Sequence, residues 1–278
     1  MWPLDRRPRG RECLRLGRLA AERWVGSEAG WLLLGREDIP AQVLDRPEAL
    51  AASLPALYAH RPAEGGVTVV LESAWLPVLL GDTGGTLWGA APLAAWMRHR
   101  LRLLHGSAED DLAGWDIRVD AQAGERHALG YGLSPRVRQA VLAAAARSGL
   151  EVDALTPAIS WGWQRLRPER TWPDRSGWWV WPEQDRCLVA RVEAGRFVAF
   201  NAAAQLVTDP AQVERLIATE AVRLGLDAGA VDRIGVAAWR APTQLPSPTP
   251  KQAWFALAGE ASAAHAGAAS SAMTGVSP

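Results

Sequence analysis

Lysine is all but missing from this chain. Of 30 Lys and Arg side chains Lys251 is the only lysine, and Asn201 is the only asparagine. Chemistry that depends on a held lysine, such as a P-loop, a protein-kinase phosphate contact or a Schiff base, must therefore use Lys251. That residue lies in LPSPTPKQAW, a proline-broken stretch that would not hold a side chain still, so those classes are set aside. Cysteine is equally sparse. Cys13 and Cys187 form no CxxC pair and no metal-ligand spacing, which reads as two reduced thiols in the cytoplasm. Charge of one sign is lacking too: 30 basic side chains balance 30 acidic ones, so no global field draws in nucleic acid or an acidic membrane. No window reaches the roughly 18 apolar residues of a membrane span. The opening MWPLDRRPRGRE has no apolar stretch of a secretory signal, so a cytoplasmic location without a direct membrane span is expected.

What the chain does have is an ordinary globular composition, 49% hydrophobic and 22% charged over 278 residues, long enough for a large core. Its one charge asymmetry is Arg6, Arg7, Arg9, Arg11, Arg15 and Arg18 at the start, read as a solvated basic arm or a contact for anionic lipid or an acidic partner.

Hydrophobic periodicity outlines an α/β chain. Residues 13–35 read as two short strands around a turn at Gly26-Ser27-Glu28, and a short helix is expected near Pro47–His60. VTVVLESAWLPVLL (67–80) is the strongest strand signal of the first half, with Pro77 splitting it in two or confining it to an edge. A helix over about 91–105 places Leu93, Trp96, Met97, Leu101 and Leu104 on one face. WDIRVDAQ and ERHALGYGL form a hairpin around Gly124; Ser134-Pro135 then caps a helix with Val137, Val141, Leu142 and Ala145 inward, followed by a strand at 150–157. GWWVW, RCLVARV and RFVAF are three further strands, Asp209-Pro210 opens a helix with Val213, Leu216, Ile217, Ala221 and Leu224 inward, and DRIGVAAW ends the pattern. The expected organisation is a first α/β lobe over 1–165, a second over 166–240, and a disordered Ala/Pro/Ser-rich tail over 241–278, with at most a transient helix at 252–265.

Motifs for catalysis are incomplete. Asp82-Thr83-Gly84-Gly85-Thr86 resembles both the DTG of aspartic proteases and the DxGGT phosphate loop of sugar kinases. The protease reading needs a second carboxylate, and only a dimer would supply one; a tight turn explains the string more simply. His60, His99, His105, His127 and His265 form no HExxH, and no GxSxG is present. Glu183 and Asp185, beside Cys187, lie between two strands, as a polar turn or as acids of a phosphate-binding hairpin. The 15 tryptophans are the compositional anomaly: most must be core, but Trp178, Trp179 and Trp181 are candidate anchors for a protein partner, with Trp179 and Trp181 on one strand face and Trp178 on the other.

Residues 67–200 carry a resemblance. ESAWLPVLL, RHRLRLLHG, GWDIRVD, LSPRVRQAVLAAAARSGLEVDALTP and GWWVWPEQDRCLVARVEAGRFVAF resemble, in order, parts of the PilM and GspL families, actin-like assembly proteins of type IV pili and type II secretion systems. The resemblance implies an actin-like, ribonuclease H-like fold of two lobes with mixed sheets flanked by helices. It also implies a cytoplasmic, peripheral scaffold that binds the short cytoplasmic tail of an inner-membrane pilus or secretion protein. Actin-fold ATPases carry two glycine-bearing phosphate hairpins. Here the N-terminal one is read as WVGSEAGW, and PEQDRC has no glycine in its turn, so no cofactor is expected. The alternative is an actin-fold ATPase or sugar-kinase-like enzyme using Asp82 or Asp185.

Overall fold

The computed structural model describes residues 12–27, 30–59, 63, 65–87, 89–105, 112, 114–120, 125–165, 176–207, 209–226, 233–239 and 252–256. The first sheet is built from β1 (Glu12–Leu16), β2 (Ala20–Ser27), β3 (Gly30–Asp38), β4 (Gly66–Leu71) and β8 (Glu151–Pro157), in the order β3-β2-β1-β4-β8. The second contains β9 (Gly177–Pro182), β10 (Cys187–Glu193), β11 (Arg196–Ala203), β12 (Ile234–Ala238) and β13 (Gln252–Ala256), in the order β11-β10-β9-β12-β13. Each sheet is thus an antiparallel three-stranded meander extended by two parallel strands. Two α/β lobes of the same strand order match the two-lobed mixed-sheet expectation.

A third sheet, β5 (Val78–Asp82), β6 (Asp116–Asp120) and β7 (His127–Leu133) in the order β5-β7-β6, is inserted in sequence between β4 and β8. Pro77 does divide the 67–80 run into two strands, and they belong to different sheets. Helix α2 (Ala90–His105) lies on this sheet through buried Leu93, Met97 and Leu101. The alternating glycines of HALGYGL make that seat possible: a Cβ on Gly130 would sit 2.2 Å from the Met97 side chain, and one on Gly132 2.9 Å from Leu101. Leu104, expected on the inner face, is 63% exposed at the helix end.

Helices α1 (Leu50–Tyr58) and α3 (Pro135–Arg147) cover one face of the first sheet, where Leu54, Val141, Ala144 and Ala145 meet Leu14, Leu16, Val67 and Val69. The Ser134 cap holds as expected, its Oγ accepting from Val137 N at 3.1 Å, while Leu142 points outward. Helix α5 (Pro210–Arg223), capped by Asp209 accepting from Gln212 N at 2.8 Å, covers the outer face of the second sheet with Val213, Leu216, Ile217 and Ala221; Leu224 stays partly exposed.

Two segments differ from expectation. Residues 13–35 hold parts of three strands, not two, because Gly17-Arg18-Leu19 makes a turn between β1 and β2. Gln252–Ala256, placed in the disordered tail by its proline- and alanine-rich surroundings, is a strand. It pairs in parallel with β12 from Ile234↔Gln252 to Ala238↔Ala256. The buried Gln252 side chain donates from Nε2 to Pro210 O at 3.0 Å and to Glu214 Oε1 at 2.8 Å. Satisfying a sheet edge outweighs local composition there. Residues 241–251 and 257–278 lie outside the described residues, as do Arg6, Arg7, Arg9, Arg11 and Lys251. Arg15, assigned to the basic arm, is instead buried in β1.

Six of the tryptophans occupy the space between the lobes. Trp24 of β2, Trp161 and Trp163 of α4 (Ala158–Arg165), Trp179 and Trp181 of β9 and Trp239 after β12 form one buried cluster with Leu188, Ala190 and Val192. Trp161 stacks on Trp239 with ring centroids 4.5 Å apart and planes 14° apart, and Trp163 meets Trp179 edge-on at 5.4 Å. Trp178 points the other way, into the α5 layer. Trp178, Trp179 and Trp181 are 3%, 2% and 3% exposed, which overturns their reading as partner anchors: no ring face is left for a partner, because both faces of β9 are covered. Trp179→Ala should destabilise the chain by about 3–5 kcal/mol in urea unfolding, whereas Leu104→Ala should change it by less than about 0.5 kcal/mol.

Candidate functional site

Where the lobes meet above the tryptophans, three turns converge. The first is Gly17–Leu19 between β1 and β2, with Gly17 N donating to Ala20 O at 3.0 Å. The second is Glu72–Leu76 after β4, in which Trp75 N and Leu76 N donate to Glu72 O. The third is Glu183–Arg186 between β9 and β10, closed by Glu183 N donating to Arg186 O at 2.8 Å. The turn facing Glu183–Arg186 is therefore Gly17–Leu19 and not WVGSEAGW, which belongs to the β2–β3 connection. Gly17–Leu19 separates β1 from β2, so the first hairpin lies one connection earlier than the sequence pattern places it.

Gln184 fills the gap between these turns. Its Oε1 accepts from Leu19 N and from Ala20 N, both at 2.8 Å, and its Nε2 donates to Ala20 O at 3.0 Å. Two converging backbone amides form a small anion-type cradle, and an amide oxygen of the same chain sits in it. The fit is close: a Cβ on Gly17 would fall 2.1 Å from the Gln184 Cδ. None of residues 183–186 has a positive φ, as a turn without glycine requires. No local signal in PEQDRC distinguishes Gln184 from an exposed turn residue.

Buried charges support the plug. Arg15 is 6% exposed and donates to Glu22 Oε2 at 2.9 Å and to Glu72 Oε1, while its guanidinium lies 4.7 Å from the Trp239 ring centroid. Glu72, fully buried, also accepts from Gln184 N at 3.1 Å. Glu183 accepts from Ser73 N at 2.9 Å and from Ser73 Oγ. Burial pushes the Glu183 carboxyl up to about 7, helped by the charge of Glu72 and opposed by the Ser73 bonds. Burial likewise raises Glu72, against the pull of Arg15.

The residues singled out for catalysis fall apart spatially. Burial pushes the Asp185 carboxyl up, but hydrogen bonds and charge from Arg186 and Arg18 outweigh it and hold the group below its usual range. Its Oδ2 accepts from Arg18 at 3.2 Å and from Arg186 at 2.8 Å, linking the lobes. Asp82 is on the third sheet, at the end of β5. There it accepts from Gly84 N at 2.7 Å and from Arg126 Nε at 3.1 Å; those bonds, the first above all, hold its carboxyl below the usual range. Gly84 and Gly85 have φ of 65° and 71°, so the DTGG string is a turn built on its aspartate. Cys187 is buried in β10, and burial raises its thiol to about 11. Among the described residues no group of three His, Cys, Asp or Glu side chains could hold a metal, and no helix is long and apolar enough to cross a membrane. His60 and His265 lie outside the described residues.

Removing the plug should weaken the lobe contact without removing the lobes' own cores. Gln184→Ala should lower stability by about 1–3 kcal/mol, since three hydrogen bonds go at once. Gln184→Glu should be worse than Gln184→Ala, because it adds a carboxylate beside Glu72, Glu183 and Asp185; urea unfolding at neutral pH checks the order.

No family model and no curated protein matches this sequence. Likeness appears in the structure. A Bacteroides thetaiotaomicron protein described as having an actin-like ATPase fold and unknown function aligns with a TM-score of 0.50 at 9% identity, over 86% of this chain and 84% of its own. A chain of a PilM–PilN type IV pilus biogenesis complex aligns with a TM-score of 0.50 at 14% identity, over 78% of this chain and 66% of that one. The cytoplasmic domain of EpsL, an inner membrane component of the type II secretion system of Vibrio cholerae, aligns at 0.49 and 14% identity, over 88% of each chain. The alignments with the first two, at a TM-score of 0.50 each, give this chain the actin-like fold.

Proposed function

We propose that this chain is a nucleotide-independent, non-catalytic scaffold of a type IV pilus or type II secretion machine, working in the cytoplasm at the inner membrane. It docks the cytoplasmic tail of an inner-membrane protein. The observation that carries the nucleotide-independent part is the Gln184 side chain seated on the Leu19 and Ala20 amides, between the two turns that an actin-fold ATPase uses for phosphate. A phosphate group would have to displace that amide and settle beside Glu72 and Glu183, both buried carboxylates. The assembly role rests on the fold shared with a chain of the PilM–PilN complex, together with the order of sequence modules between 67 and 200. With Trp178, Trp179 and Trp181 committed to the core, a partner would use other surfaces.

Two measurements test this reading. Thermal unfolding with millimolar Mg-ATP should show no rise in melting temperature; a saturable rise, abolished by Asp185→Ala or Asp82→Ala, would establish the ATPase or sugar-kinase alternative instead. Crosslinking of the tagged chain in cells, followed by membrane extraction, should recover an inner-membrane protein of a pilus or secretion machine. Recovery of soluble metabolic enzymes alone would sink the scaffold role.

A further inference from the structure

The polar cluster between the lobes is short of positive charge. Glu22, Glu72 and Glu183 are 4%, 0% and 6% exposed, and Arg15 is the one guanidinium buried among them. Arg15 is shared between Glu22 and Glu72. The other cations that face the group, Arg36, Arg186 and Arg18, lie nearer solvent than Arg15. Arg36 of β3 comes within 3.9 Å of Glu22 but is 48% exposed. Arg186 is engaged by Asp185 at 2.8 Å, and Arg18 by the same carboxylate at 3.2 Å. Trp24 Nε1 donates to Glu22 at 3.3 Å, the Ser73 amide and hydroxyl donate to Glu183, and the Gln184 amide donates to Glu72. If all three glutamates were ionised, the lobe interface would enclose surplus negative charge with no solvent to spread it.

We propose that the Glu72–Glu183 pair closes over a single proton, and that this proton is the latch holding the β9–β10 turn of the second lobe against the first lobe. The contacts it secures all cross between lobes: Ser73 to Glu183, Gln184 N to Glu72, and the Gln184 side chain to Leu19 and Ala20. The sign follows from linkage. The closed state keeps a proton that an open, solvated glutamate releases near its ordinary value of about 4.3. Closure is therefore strongest in mild acid and weakens as pH rises towards about 7, where the buried Glu183 carboxyl titrates; beyond that it changes little. The latch concerns the closure of the lobes and does not depend on which partner the chain docks.

Hydrogen exchange of the full chain between pH 5 and pH 8, corrected for intrinsic base catalysis, reads the latch directly. Protection of the Ser73, Leu19 and Gln184 amides should fall by up to about tenfold per pH unit up to neutrality, then level off. Amides inside β9 and β10 should keep theirs. Glu183→Gln keeps an accepting oxygen for Ser73 and carries no charge, so its clasp amides should stay protected across the range. Side-chain carboxyl NMR of the unmodified protein supplies a reading that needs no variant: the Glu72–Glu183 pair should show one titration near neutrality. Titration of both glutamates near 4.5, an unchanging wild-type protection, or the same pH-dependent loss in Glu183→Gln would each overturn the proposal.

Discussion

One side chain decides what the space between the lobes can be. Gln184 reaches from the second lobe into the first and accepts hydrogen bonds from two neighbouring amides, Leu19 N and Ala20 N. Backbone amides that converge in this way attract an anion or a strong acceptor, and once they are satisfied they have nothing left to offer. The contact also fixes the geometry around it. Gly17 must stay glycine for the amide to fit, Glu72 must lie where Gln184 N can donate to it, and Glu183 is drawn against Ser73.

Beneath this polar contact the tryptophans act as a slab. Trp24 and Trp161 meet Trp239, and Trp163 meets Trp179 and Trp181, so large apolar surfaces join the lobes. Arg15 sits at the boundary, with Trp239 under its guanidinium and two glutamates around its nitrogens. A buried ion pair of this kind adds little net stability, but it is intolerant of a missing partner and so favours one relative placement of the lobes. Polar contact and aromatic slab together describe a molecule organised around a closed cleft.

The third sheet shows the same economy of side chains. Gly130 and Gly132 clear space for Met97 and Leu101, which lets α2 settle on β7. Asp82, at the far end of β5, holds its own turn and lies on a different sheet from the polar cluster. A motif that resembles catalytic loops in two enzyme classes is here explained by two glycines at positive φ and an aspartate that satisfies their turn.

Periodicity and punctuation determined most of the local structure from sequence alone. The Ser134 and Asp209 caps, the Pro77 break, the 193–195 hairpin and the opposed faces of Trp178 and Trp179 follow from rules that act over a few residues, and they held. The order of modules between 67 and 200 was also enough to point to the actin-like fold. Tertiary structure alone decided the rest, because the deciding contacts join residues distant in the chain. Gln184 meets Leu19 and Ala20 across about 165 positions, and Arg15 meets Glu72 across 57. No local pattern marks Arg15 as buried rather than part of a basic arm, Gln252 as the start of a sheet strand, or the β9 tryptophans as core rather than anchors. Each was settled by what the folded chain placed opposite it: a carboxylate, an open sheet edge, and another tryptophan.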